Sequence, residues 1–279
     1  SRHYGIPFCF EVRDLWPQTL IDMGVLSPKH PITKVFSLLE SYLYRKADKI
    51  ITLLPYAHEY ICHLNIPKDK ICYIPNGIDL QLFSDMTYSP KLISQEISVM
   101  YLGAHGPANN LETLLEAAQI LENKNTSAKI SWHLVGDGPQ KEYLKQRVQK
   151  LQLRSVFLEN KIPKSEVPRK INEADILIFH LLDIDVFKYG VSPNKLFDYL
   201  ASYRPIIYAC SSRNNPVADS GAGLSIPPEN PQEMADAVLK LASSSDKLIM
   251  GQKGRAYVEQ HHSYERLGER LNSLLESLR

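Results

Sequence analysis

The 279-residue chain is predicted to be an α/β protein built on parallel, doubly wound sheets. Short apolar runs alternate with amphipathic helical stretches nearly throughout the sequence. Runs such as "ISVMYLG" (97–103) and "ADILIFH" (174–180) are apolar on both faces, as strands covered by helices on both sides must be. The turn-rich segment "PNGIDLQLFSDMTYSPKLISQE" (75–96) breaks this rhythm and reads as a boundary between two blocks.

In the front block, strands are expected over 6–12, 49–54 and 71–74, with helices over 31–47 and 56–64. The rear block carries strand patterns at 97–103, 129–135, 155–158, 175–180, 205–209 and 222–226. Between them lie helices at 110–123, 139–151, 165–173, 193–203, 214–220 and 231–242, followed by 246–260 and 264–278. Six strands make a complete doubly wound domain. Three make about half of one, since such domains take on the order of 150 residues. Because the sequence opens at Ser1 directly before a strand pattern, it reads as a chain joined part-way through its first domain.

Composition narrows the function. With 32 basic and 31 acidic residues the net charge is +1, which leaves no electrostatic footprint for nucleic acid. No apolar run approaches the roughly 18 residues a membrane span needs. Cys9, Cys62, Cys72 and Cys210 are scattered without a Cys-x-x-Cys pair, and read as reduced core thiols of a cytoplasmic protein rather than a disulfide or zinc framework.

Ligands of open α/β sheets bind at the carboxyl ends of strands, and three junctions in the rear block have the right character. In "YLGAHGPANNLETLLEAA" the loop Gly103 to Pro107 leads to a helix that Asn109 is expected to cap, with Glu112 three residues on. Gly103, His105, Gly106 and Asn109 serve either a phosphate or a plain tight turn. In "HLVGDGPQKEYLK", Gly136-Asp137-Gly138-Pro139 reads mainly as turn chemistry, with Pro139 at a helix start.

The third junction is "KYGVSPNKLFDYLASYRPII" (188–207). Ser192 is expected to cap a helix with Pro193 at its first position, Leu196, Leu200 and Tyr203 recur at helical spacing, and Pro205 ends the run. Lys195 then stands in the first turn, where a cation opposes the helix dipole. Either it pairs with Asp198 one turn on, across a solvated face, or it serves a bound diphosphate together with Gly190, Ser192, Pro193 and Asn194. In the second case Asp198 is left to accept from a sugar or ribose hydroxyl.

This stretch resembles the donor-site signature of the GT-B glycosyltransferases of family 4, nearest to the bacterial branch that transfers amino-deoxy sugars in O-antigen and capsule synthesis. "FEVRDLWPQTL", "KADKIITLLP", "ICYIPNGIDLQLF", "GAHGPANNLETLLEAA", "LVGDGPQKEYL", "KSEVPRKINEADILIF", "NNPVADSGAGLSIPPENP" and "HHSYERLGERL" agree in order, so the likeness covers nearly the whole chain. It implies two facing Rossmann-like domains: a partial acceptor-side domain over 1–85, a nucleotide-sugar domain over 86–258, and a last helix, 259–279, crossing back to the first.

The resemblance also implies a retaining transferase that takes its sugar from a UDP-sugar, with no metal and no other cofactor. The implied acceptor is a polyprenyl-diphosphate-linked saccharide, which places the enzyme in the cytoplasm, at the inner membrane face. Ile162 is assigned to the donor site by the same likeness. Arg13-Asp14 stands where many members have His-Asp; both are expected to face the cleft as catalytic contacts, or to form a structural pair. Gly190 and Asp198 occupy the places of two glutamates eight positions apart, and His105 to Asn109 lacks the usual Arg and Lys. The truncated front block leads to an expectation of weak or absent transfer by this chain. Two other readings remain: a UDP-sugar epimerase on the same fold, and a non-catalytic or split binding module. Finally, "PKHPITKVFSLLESYLYRKADK" (28–49) mixes cations with tyrosines, and reads either as a helix packed on its own sheet or as a contact for anionic lipid.

Overall fold

The computed structural model describes residues 3–90, 96–124 and 129–278. Residues 91–95, the end of the expected interblock break, lie outside them. The front sheet orders β1 (Cys9–Val12), β2 (Lys49–Thr52) and β3 (Ile71–Tyr73), all parallel, with Cys9 opposite Lys49 and Ile50 opposite Ile71. Its helices are α1 (Gln18–Asp22), α2 (Pro31–Lys46) and α3 (Ala57–His63). The five-residue α1 was not foreseen; it is too short to show a helical period.

The rear sheet comprises β4 (Ile97–Leu102), β5 (Ile130–Val135), β6 (Val156–Glu159), β7 (Ile176–His180), β8 (Ile206–Ala209) and β9 (Gly223–Ile226). They run parallel in the order β6-β5-β4-β7-β8-β9. The chain therefore winds outward one way from β4 and the other way from β7, which opens a crevice between the loops that follow those two strands. The intervening helices are α4 (Glu112–Asn123), α5 (Lys141–Lys150), α6 (Val167–Ile171), α7 (Asn194–Leu200), α8 (Pro216–Ser220) and α9 (Pro231–Ser243). The chain closes with α10 (Lys247–His261) and α11 (Tyr264–Glu276).

The double-sided apolar pattern is used as such. Val99, Tyr101, Trp132 and Ile178 pack with Leu114 and Ala118 of α4 and Val238 and Leu241 of α9. Met100, Leu177, Phe179 and Tyr208 pack on the opposite side with Leu196 and Leu200 of α7 and Val258 of α10. Of the four cysteines, Cys210 is buried, whereas Cys9, Cys62 and Cys72 are only half-buried, because they sit in the thinner front sheet and its helix.

The two sheets are joined by backbone as well as side chains. Ile78 N–H donates to the His262 carbonyl at 2.9 Å, and Tyr264 N–H donates back to Ile78 at 3.0 Å. On α11, Arg270 Nη2 donates to the Tyr73 carbonyl at the end of β3. Tyr56 N–H donates to Tyr189 at 3.0 Å, beside the loop that leads into α7.

Candidate functional site

The carboxyl ends of both sheets face one cleft of about 430 Å³. Arg13 and Asp14, at the end of β1, line it from the front sheet together with Trp16 and Asn76. Gly190, Ser192 and Pro193, from the loop after β7, line it from the rear sheet. Burial pushes the Asp14 carboxyl above the usual carboxylate range, opposed by the Arg13 cation beside it. A smaller recess of about 180 Å³ is walled by Gly103, Ala104, Gly136, Asp137, Lys161 and Ile162 at the ends of β4, β5 and β6.

Glycine is required at Gly190 in the cleft wall and at Gly138 in the turn beside the recess. Gly190 has φ +108°, and a side-chain carbon there would lie 2.4 Å from Pro55 Cδ, so the front sheet's loop can approach only a glycine. A carbon on Gly138 would meet the His105 backbone at 2.6–2.9 Å, which locks the second glycine turn onto the first. At Gly106 a side-chain carbon would make only an ordinary 3.8 Å contact with Asn109 Nδ2, and the φ of −106° suits any residue.

The loop after β4 departs from the expected cap. Asn109 lies in a 3₁₀ turn (Pro107–Asn109), and α4 starts from Leu111 with no side-chain cap. The Asn109 side chain is spent elsewhere: its Oδ1 accepts from Lys195 Nζ at 2.5 Å. Lys195 also donates to the Tyr101 hydroxyl at 2.8 Å, and that hydroxyl donates to the Ala104 carbonyl at 2.8 Å. The ammonium sits 4.4 Å from the Tyr101 ring centroid and 5.4 Å from that of Phe179. Among the described residues it pairs with no carboxylate, and burial lowers its pKa to about 7.

Neither the expected Ser192 cap nor the Lys195–Asp198 pair forms. Pro193 itself occupies the cap position of α7 with no side-chain cap bond, and Asn194 begins the helix, exposed. Ser192 instead accepts from the Asn76 backbone N–H through Oγ at 2.9 Å and from Asn76 Nδ2 through its carbonyl at 2.5 Å. Asp198 points into a buried position, where Lys164 Nζ donates to both carboxylate oxygens at 2.5 and 2.6 Å. Desolvation raises its pKa, and Lys164 opposes that shift. The face is not solvated, because α7 packs that side against the segment before α6.

His105 is fully enclosed, with neither ring nitrogen partnered among the described residues. Burial lowers its pKa to about 4, with the Lys141 and Lys195 cations adding to the effect, so it is neutral at pH 7. An unpaired buried imidazole costs on the order of 1–3 kcal/mol. Three further residues were not singled out from sequence. Tyr101 and His180 read as ordinary strand residues, and Asn76 as a turn former. His180 Nδ1 bonds the Asn109 carbonyl at 2.9 Å while its Nε2 accepts from Glu229 N–H at 3.1 Å, so these partners hold the neutral ring beneath Asn109. Burial brings its pKa to about 4.

The Lys195 ammonium thus stands at the point where the strand order reverses, with Arg13 in the cleft wall and Lys161 in the recess wall as further cations. The seven-residue α7 adds little dipole of its own. The profile of the family described as "Glycosyl transferases group 1" matches residues 96–244, just over half of the chain and all of the rear sheet. The chain belongs to the group 1 glycosyl transferases. A second profile, "Glycosyltransferase Family 4", matches residues 1–82 of this family member. The chain is 21% identical over 272 residues to the Pseudomonas aeruginosa protein named "Probable glycosyltransferase WbjE", covering 93% of this chain and 65% of that one. It is 24% identical over 253 residues to the poly(ribitol-phosphate) alpha-N-acetylglucosaminyltransferase of Staphylococcus aureus, covering 88% and 48%. It therefore spans about two thirds and about half of these two curated relatives. Among solved structures, HepE from Anabaena, crystallised with UDP and glucose, superposes with a TM-score of 0.74 at 15% identity, over 98% of this chain and 72% of HepE. The two-sheet architecture is the GT-B fold.

Proposed function

We propose that this group 1 chain binds a nucleotide-diphosphate sugar at the reversal point and belongs to an enzyme that transfers the sugar from it. The observation that carries this reading is the Lys195 ammonium, enclosed by two aromatic rings and two neutral oxygens, beside a glycine loop and with no carboxylate among its described partners. An ammonium whose pKa burial lowers to about 7 gains most from a ligand that brings negative charge. A diphosphate does so, and it is the charge that grows when the sugar–phosphate bond breaks.

In this reading the recess at Gly103, Gly136 and Ile162 takes the nucleoside, and backbone N–H groups of the loop from Gly190 to Asn194 flank the phosphates. Asp198 meets a ribose or sugar hydroxyl once Lys164 yields. Arg13 and Asp14 contact the sugar or the leaving group from across the cleft, and the acceptor hydroxyl approaches from the front-sheet side. Lys195 neutralises the leaving diphosphate without a metal in this proposal, and the anomeric configuration is retained. The domain division proposed is 1–85, 86–258 and 259–279, with α11 returning to the front sheet.

UDP is the proposed nucleotide: HepE was solved with UDP and glucose. An N-acetylated amino sugar, a polyprenyl-diphosphate-linked saccharide as acceptor and a place in O-antigen or capsule synthesis at the inner membrane face are parts of the same proposal. The name of the S. aureus relative supports the sugar class. Transfer by the 279-residue chain alone is proposed to be weak or absent.

Calorimetric titration with UDP, GDP, ADP and their sugars tests the reading without requiring turnover. UDP ligands are expected to bind at least tenfold more tightly than the others, and an absence of binding by every nucleotide would overturn the proposal. Incubation with UDP-N-acetylglucosamine and no acceptor should leave the sugar's configuration unchanged; its conversion to an epimer would show different chemistry.

A further inference from the structure

Two adjacent asparagines follow β8, and the local chain explains one of them. Asn215 caps α8, its Oδ1 accepting from the Ala218 N–H at 3.0 Å. Asn214 spends its amide elsewhere. Its side chain crosses to the loop after β7, where Oδ1 accepts from the Val191 N–H at 2.9 Å and Nδ2 donates to the Val191 carbonyl at 2.9 Å. One amide thus satisfies both backbone groups of a buried residue, as an adjoining strand would. Both groups of one residue reach a single partner where the backbone is extended, so this contact fixes the path of the chain at Val191.

The amide is itself supported. Ser212 Oγ donates to Asn214 Oδ1 at 2.6 Å, and the Tyr208 hydroxyl of β8 donates to the Asn214 carbonyl at 3.0 Å. The Tyr208 ring stacks on Phe179 of β7 with centroids 5.1 Å apart, so the support runs from the sheet through Asn214 to the loop. Within that loop Val191 stands between Gly190, which Pro55 approaches too closely for a side chain, and Ser192, which Asn76 holds from the front sheet. The Gly190 N–H donates to the Phe187 carbonyl at 2.9 Å and the Val191 N–H to Asn214. The next donor is the Ser192 N–H, which has no acceptor among the described residues and belongs to a residue of the cleft wall.

We propose that Asn214 is a positioning residue for the donor phosphates: its amide holds Val191 extended, and thereby presets the path of Ser192 to Asn194 where the diphosphate lies. Asn214 acts through the loop and does not itself touch the ligand. The inference rests on the nucleotide-sugar reading above, and adds to it the group that preorganises the phosphate contacts. A loop already in its bound path costs less to order on binding. Losing Asn214 therefore weakens ligands that carry phosphate, and leaves recognition of the nucleoside in its separate recess as it was.

Titration of UDP and of uridine into the parent, Asn214→Ala and Ser212→Ala, with circular dichroism of each, tests it. Asn214→Ala is expected to bind UDP about tenfold more weakly than the parent and uridine within about twofold. Ser212→Ala, which removes one support of the amide, should lose about threefold for UDP and keep uridine unchanged. A residue that only held the fold together would weaken both ligands alike, so the ratio of the two affinities reads the positioning role. Equal loss of both ligands, or UDP binding of parental strength by Asn214→Ala, would overturn the inference and leave the donor-site reading standing. Where Asn214→Ala does not fold, Ser212→Ala decides: selective loss of UDP supports the inference, and equal loss or none contradicts it. A parent that binds no UDP would remove both the inference and the reading beneath it.

Discussion

Lys195 and Asn109 meet at 2.5 Å across the reversal point, a cation held by a neutral amide where a carboxylate would be the stronger partner. Asn109→Asp supplies that missing charge from within. The variant is expected to be more stable than the parent by urea unfolding at pH 7, and to bind UDP at least tenfold more weakly because the internal carboxylate competes with the diphosphate.

Asp198 separates nucleoside from phosphate recognition. Asp198 is buried and Lys164 more than half exposed, so Asp198→Asn removes a buried carboxylate and leaves a lysine that water can solvate. If the carboxylate accepts from a ribose hydroxyl, UDP affinity falls about tenfold while inorganic pyrophosphate affinity stays within about twofold, a split of roughly 1–2 kcal/mol that a charged hydrogen bond supplies. Titration of both ligands into both proteins reads the difference.

Gly190 carries strain that alanine cannot share. At φ +108° and 2.4 Å from Pro55 Cδ, Gly190→Ala should lower the unfolding free energy by about 1–3 kcal/mol. Adding Pro55→Gly removes the clash but not the dihedral cost, so the double variant should recover only part of the loss in urea melts.

Glu40 makes stability depend on pH near neutrality. Burial lifts its folded pKa to about 7 from 4.5, against the hydrogen bonds from Tyr44 and Tyr60. Between those values the folded chain holds more protons than the unfolded one, so this group's contribution to stability falls as pH rises from about 4.5 to 7. Glu40→Gln should therefore gain on the parent as pH is raised from 5 to 7.5. His105, His180 and His262 act in the opposite sense, each lowered to about 4, but they are common to both proteins and cancel in the comparison.

Among the described residues, the nine strands and every α-helix except α1 were legible in the sequence, because buried parallel strands and amphipathic helices write their period locally. The partners of the site residues were not. Asn109 looks like a cap until Lys195, 86 positions away, takes its side chain. Ser192 looks like a cap until Asn76, 116 positions away, donates to it twice. Asp198 faces Lys195 on a helical wheel, yet Lys164 reaches it from 34 positions upstream. Local pattern sets the element; competition for a hydrogen-bonding group is decided by the tertiary fold.

An anion is proposed to complete the surroundings of Lys195, and proton uptake on binding measures that directly. UDP titrated at pH 8 in two buffers of different ionisation enthalpy should reveal uptake approaching one proton, since the ligand lifts the ammonium from about 7 toward its ordinary range. Lys195→Met should bind at least tenfold more weakly with that uptake abolished. Binding of equal strength by Lys195→Met, with the same protons exchanged, would contradict the account.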